Sequence, residues 1–155
     1  MAAPHSLGDL PRPQAPALVA AMKVRVYGIP APQGSKKGFV RGGRVHLVES
    51  SAKVSPWRQD VVHAALAVKG HSPTPALDGP VRLTIVFYLP KPKSARKDAQ
   101  ATKRPDLDKL VRSTCDALTT AAVYGDDAQV VELVARKVYS DDTNPAGAVI
   151  AIEAA

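Results

Sequence analysis

The chain has 155 residues and carries 21 Lys and Arg against 14 Asp and Glu, a net charge of +7 with an isoelectric point near 9.7. At 45% hydrophobic, and at a length where folding buries about 68% of the unfolded chain's surface, it has enough apolar material for one core. Wholesale disorder is excluded, and the length fits one domain better than two independent cores.

No apolar run approaches the roughly 20 residues of a spanning helix, and the start lacks the basic and apolar regions of a secretory signal. A cytoplasmic protein with no membrane partner is expected. A single cysteine, Cys115, rules out an internal disulfide. With His5, His46, His63 and His71 scattered, it gives no zinc-ligand spacing, so any metal should be oxygen-bound. Charge is uneven: residues 1–90 are net +7, residues 91–112 net +5 and residues 113–155 net −5. Polyanions become plausible partners, and acids set among bases suggest a cation held where phosphates dock.

Residues 1–21 hold Pro4, Pro11, Pro13 and Pro16 with no sustained period and read as a disordered leader; residues 22–155 read as the folded domain, with Met22 an alternative start. Lys23 to Tyr27 is strand-like. Gly28 to Gly34 breaks regular structure and leads into Ser35 to Gly38, read as a mobile basic loop. Its glycine spacing fails the phosphate-loop pattern, because five residues rather than four separate Gly28 from Gly34 and no Lys follows directly. Phe39-Val40, Gly42-Gly43 and Val45 to Val48 predict a hairpin with a two-residue turn, placing Arg41 opposite Arg44. Such a pair is unfavourable by a few tenths of a kcal/mol unless the arginines point apart into solvent or an anion lies between them.

Ser55-Pro56 predicts an N-cap and a first-turn proline. Trp57, Val61, Ala64, Ala65 and Val68 then form a helical stripe ending at Gly70. Val81 to Leu89 is the strongest strand and is expected centrally in a sheet. Pro90 to Pro105 is a long basic loop, of a length that inside a compact domain is usually functional or disordered. Residues 107–120 form a helix whose face of Leu107, Leu110, Val111, Thr114, Cys115 and Leu118 meets the core; Cys115 on that face is a packed small hydrophobe. A turn at Tyr124 to Asp127 precedes strands at Val130 to Tyr139 and Ala148 to Ile152. The fold class is α+β, a mixed β-sheet with two main helices.

The informative cluster is Asp106 and Asp108, with Asp126 and Asp127 downstream. Side chains two residues apart share a side only in extended backbone, so Asp106 must sit at the helix entry, where it can act as N-cap, with Asp108 in the first turn. Taken singly, acids at a helix start and beside a glycine turn have ordinary structural roles. Gathering three or four carboxylates, however, raises their pKa values unless a cation neutralises them. Oxygen ligands without His or Cys suit Mg²⁺ or Mn²⁺, which can activate water beside a phosphodiester. Hydrolytic nicking of nucleic acid is the chemistry suggested.

The run Arg104-Pro105-Asp106-Leu107-Asp108-Lys109-Leu110, then Asp116-Ala117-Leu118, Asp126-Asp127-Ala128-Gln129-Val130 and Lys137, resembles the RusA family of Holliday junction resolvases. The early Gly-Ile-Pro-Ala-Pro-Gln-Gly stretch and Trp57-Arg58 also fit, so the likeness spans roughly residues 23–140. The resemblance implies a homodimer, Mg²⁺ dependence and paired symmetric nicks in four-way DNA, in a protein encoded by a bacterium or a phage. The family's essential aspartates map to Asp106, Asp108 and Asp127, with Asp126 adjacent. Two positions depart from the pattern. Lys109 stands where the family commonly has Asn, and Arg112 where it commonly has an active-site Lys. Arginine keeps the charge for a phosphate but cannot serve as a general acid. Alternatively, Arg112 joins Asp108 and Asp116 in an ion network on the helix surface.

The basic residues Lys36, Lys37, Arg41, Arg44, Lys91, Lys93, Arg96, Lys97, Lys103 and Arg104 are candidate DNA-backbone contacts. With two Phe, one Trp and four Tyr, duplex arms fit better than an extended stacking platform for single strands. A helix of this length spans about 20 Å, and the chain from Ala121 to Asp127 covers that only when fully extended. Asp127 therefore regains the Asp106 end only by a sharply doubled-back chain, or it serves a partner subunit's site. The rival readings are a noncatalytic nucleic-acid-binding protein of the same fold and a phosphohydrolase of small nucleotides.

Overall fold

The computed structural model describes residues 22–34, 36–49 and 52–155; the leader expected over residues 1–21 lies outside them. The elements follow in the order β1 (Met22–Tyr27), β2 (Lys36–Arg41), β3 (Arg44–Glu49), α1 (Val54–Lys69), β4 (Val81–Leu89), α2 (Leu107–Thr120), a single 3₁₀ turn (Asp127–Gln129), β5 (Val130–Tyr139) and β6 (Gly147–Ala154). Four strands form a mixed sheet in the order β1-β6-β4-β5, and β2-β3 form a separate hairpin. Strands β4 and β5 run parallel, while β6 is antiparallel to both its neighbours.

Alternation decides which side of the sheet is covered. Val81, Leu83, Ile85, Phe87 and Leu89 of β4 are buried. The register carries that face across the sheet, Val24 opposite Ile150, Ile150 opposite Ile85 and Ile85 opposite Ala135. The opposite face runs through Arg25, Val149, Val86 and Arg136. Both helices pack on the apolar face. Trp57 of α1 lies 6.5 Å, centroid to centroid, from Phe87, and its indole N–H donates to Thr114 Oγ1 of α2 at 3.2 Å, which removes the cost of burying that polar tip. Gly147 (φ +148°) opens β6, where a Cβ would run into the Val26 carbonyl.

Several expectations need correction. Helix α1 begins at Val54 with Lys53 as N-cap and no side-chain cap, so Ser55 and Pro56 are already its second and third residues. Proline is tolerated there because the first-turn N–H groups have no intrahelical partner. Val68, expected on the apolar stripe, is 50% exposed. Lys36 to Gly38, read as loop, begin strand β2. In α2, Ser113 and Ala117 are buried along with Leu110, Thr114, Cys115 and Leu118, while Leu107 and Val111 of the expected face are only partly buried. The Gly28–Gly34 segment accounts for Ser113: it straps across the helix, with Ser113 Oγ donating to Ala31 O at 2.7 Å and Gln33 N to Lys109 O at 3.0 Å.

Candidate active site

Asp106 is the N-cap residue of α2 with extended backbone (φ −71°, ψ 137°), yet its side chain caps nothing. Its carboxylate instead faces Lys109 Nζ at 3.2 Å, both groups being about half exposed. Asp108 follows in the first turn, where the helix dipole favours negative charge. A cleft of about 380 Å³ opens beside them, between Pro32–Gly34 on one side and Arg104–Asp106 with Lys109 on the other. Arg58 of α1 fixes this wall: it pairs with Asp116 and donates to Gln33 Oε1 at 2.6 Å. Asp116 is thus structural, and the network expected of Arg112 does not form. Arg112 is exposed and has no ion pair among the described residues.

The approach to Asp106 is held from beneath. Lys137 on β5 donates to Lys103 O at 2.8 Å and Pro105 O at 2.7 Å, fixing the end of the Pro90–Pro105 loop, whose final Arg104-Pro105 bond is cis. Local bonds order the rest of the loop: Ala95 N to Pro92 O at 2.9 Å, Ala99 N to Arg96 O at 3.1 Å, and Lys91 Nζ to Lys97 O at 3.1 Å. Lys93, Arg96, Lys97, Lys103 and Arg104 project exposed from it.

Asp126 and Asp127 differ in role although adjacent. Asp126 Oδ1 accepts from Ala128 N at 2.7 Å and forms a capping box with Gln129. Gln129 Oε1 in turn accepts from Gly125 N at 2.7 Å and Asp126 N at 3.1 Å. The Asp127 carboxylate takes no part in that box and is exposed. Its proton affinity is held above the usual carboxylate range, first by partial desolvation, then by Asp126 and by the charge of Asp116. Burial pushes the Cys115 thiol up to about 11, which removes it as a nucleophile.

Topology separates the carboxylates within one chain. Because β4 and β5 are parallel, α2 is their crossover and runs back along the sheet. Asp106 therefore lies at its start and Asp127 on the turn that follows its end, a turn that packs back on α2 so that the charges of Asp127 and Asp116 interact. Among the described residues no group of three His, Cys, Asp or Glu side chains gathers that could hold a metal ion.

Sequence reasoning noted Lys137 only through family likeness and assigned no role to Gln33 or Gln129. A signal existed for two of them. Lys137 falls on the core-facing alternation of β5, in register with Phe87, where a charge needs a reason, and the Asp126-x-x-Gln129 spacing is that of a capping box.

The family model for the endodeoxyribonuclease RusA matches residues 28–153. The chain belongs to the RusA endodeoxyribonuclease family. Among its relatives, a Bacillus subtilis (strain 168) protein described as "Uncharacterized protein YqaN" is 36% identical over 132 residues, covering 78% of this chain and 89% of the relative. A "Crossover junction endodeoxyribonuclease rusA" of Lactococcus phage r1t is 37% identical over 65 residues, covering 42% of this chain and 49% of the phage protein. The RusA assignment makes this chain an endodeoxyribonuclease.

Proposed function

We propose that the protein is a homodimeric, Mg²⁺-dependent endonuclease that resolves four-way DNA junctions by paired symmetric nicks. Asp106 and Asp108 of one subunit would act with Asp127 of the partner subunit. The observation that carries this reading is the division of labour among the acids. Asp126 is committed to a cap and Asp116 to the Arg58 that fixes the cleft wall, whereas Asp106 is paired only with the half-exposed Lys109, and Asp108 and Asp127 have no salt bridge among the described residues.

Three such carboxylates with no nitrogen or sulfur donor fit Mg²⁺ or Mn²⁺, which prefer oxygen ligands. Asp127's raised proton affinity is that of an acid waiting for positive charge. When bound, the ion supplies an activated water and stabilises the charge that develops on the phosphodiester. The chain's own residues do the rest. Lys109 can exchange Asp106 for a DNA phosphate, Arg112 offers a permanent charge to the strand without giving up a proton, and Lys137 and Arg58 hold the two walls of the cleft still. The exposed cations of the Pro90–Pro105 loop and of the hairpin position duplex arms without reading sequence.

An apolar edge supports the dimer. On the edge strand β5, Val131, Leu133 and Val134 are 64%, 45% and 55% exposed, a surface that soluble proteins generally cover.

The test is cleavage of a four-way junction, a linear duplex and free nucleotides, each with and without Mg²⁺. Nicking confined to the junction and dependent on metal is expected, and Asp106→Asn should abolish it while leaving junction binding. Equal cutting of linear duplex, or nicking by the Asp106→Asn variant, would contradict the reading.

A further inference from the structure

The β2–β3 hairpin forms a sheet of its own, and an isolated two-stranded hairpin is marginal in water. Among its described side chains, Phe39 is 48% exposed, Val40 71%, Val45 71% and Leu47 65%. The turn at Gly42 and Gly43, with φ +59° and +73°, is the two-residue type that matches strand twist, so the register is well defined. Phe39 faces His46, Val40 faces Val45 and Arg41 faces Arg44.

Directly opposed residues point to the same side of a ladder, and the side alternates along each strand. The register therefore sorts the hairpin into two unlike faces. Val40, Val45 and Leu47 occupy one. Lys37, Phe39, Arg41, Arg44 and His46 occupy the other, with no acid among them. On this second face the rings of Phe39 and His46 stack at 5.4 Å with an interplanar angle of 18°. Beyond them the two arginines are opposed at the tip, an arrangement that an anion relieves.

The hairpin also starts from a telling place. Gly34, two residues before β2, lines the cleft that holds Asp106, and Gln33 is bonded to Lys109 O. A strand of six residues extends about 20 Å, the length of about six nucleotides at 3.4 Å each. A two-stranded ribbon also has the width that a DNA major groove admits.

We propose that the β2–β3 hairpin is a DNA-contacting arm. Its Lys37–Phe39–Arg41–Arg44–His46 face lies along the duplex next to the cut and reaches phosphates about six nucleotides from the carboxylates. The aromatic pair packs against the nucleic acid between the cationic tip and Lys37. The inference rests on the nuclease reading and extends it to a second contact region with its own reach.

Ethylation interference on a four-way junction, read in EDTA so that nothing is cut, tests the arm. For the wild-type protein, two groups of phosphates should block binding when ethylated, one at the cut and one about six nucleotides away. In the Arg41→Ala/Arg44→Ala variant the distant group should vanish and the near group persist. The slope of log K against log salt should also become shallower by about four, because the dimer loses two arginines from each subunit. Phe39→Ala should weaken binding about fivefold or more without altering that slope, whereas Val45→Thr, on the opposite face, should change neither. An unchanged thermal melt of each variant establishes that the core is intact.

Retention of the distant phosphates and of the full slope by the double-arginine variant would overturn the proposal. So would loss of dimer in sedimentation caused by Phe39→Ala with DNA binding intact, which would make that face a protein contact. If the wild-type protein binds no DNA, the nuclease reading itself falls; if it binds with only the near group of phosphates, the arm alone falls.

Discussion

Asp127 carries its charge at a cost to the fold. Its pKa is raised in the folded state by desolvation and by Asp126 and Asp116, so ionisation is less favourable there than in the unfolded chain. That cost is present above the folded pKa and absent below the unfolded value of about 3.9. Asp127→Asn is accordingly expected to melt at a higher temperature than wild type at pH 7, the difference closing by about pH 3 while nicking is lost. Equal melting at both pH values would mean that the acid is not under repulsion. Such a cost to the fold fits the role proposed for Asp127, since functional sites often trade stability for activity. Part of this was legible in the letters: two acids two residues apart could share a side only at a helix entry, and Asp106 is found there with extended backbone. The division between Asp126 and Asp127 was harder to read, because two identical adjacent residues differ only through Gln129 and the turn it organises.

At the scale of elements, the loop before α2 shows how a long irregular segment becomes a positioning device. It is held by its own turns, by burial of Ala101 and by the Lys137 ammonium, which satisfies two carbonyls just before Asp106. Hydrogen bonds from charged groups are worth about 1.5–3 kcal/mol. Lys137→Met keeps the aliphatic stem and removes the ammonium. It should lower stability in denaturant titration by about 1–3 kcal/mol and reduce nicking more than it reduces junction affinity. Nicking at the wild-type rate would mean that the loop needs no such anchor. Helix α2 and strand β4 were readable to the residue because each has a strong single period. The start of α1 was not, since Ser55-Pro56 reads as a cap from local chemistry alone, while burial of Val54 against the core carries the helix start two residues earlier.

At the scale of the whole molecule, strand order is the feature no local pattern encodes. β6, last in the chain, lies between β1 and β4, a choice made by cross-strand packing of Val24, Ile150 and Ile85 rather than by sequence proximity. The same topology makes α2 a crossover, with Asp106 at its start and Asp127 on the turn after it, and the length of the Ala121–Asp127 connection makes the sharing of Asp127 between subunits a question for experiment. An edge strand with exposed Val131, Leu133 and Val134 fits the proposed dimer. Mixing Asp106→Asn chains with Asp127→Asn chains tests this most directly. If carboxylates from two subunits make each site, every mixed dimer holds one site with both substitutions and one intact site, so junction nicking by two individually inactive proteins should reappear. Mixed dimers that form, bind the junction and still leave it uncut would contradict the shared site.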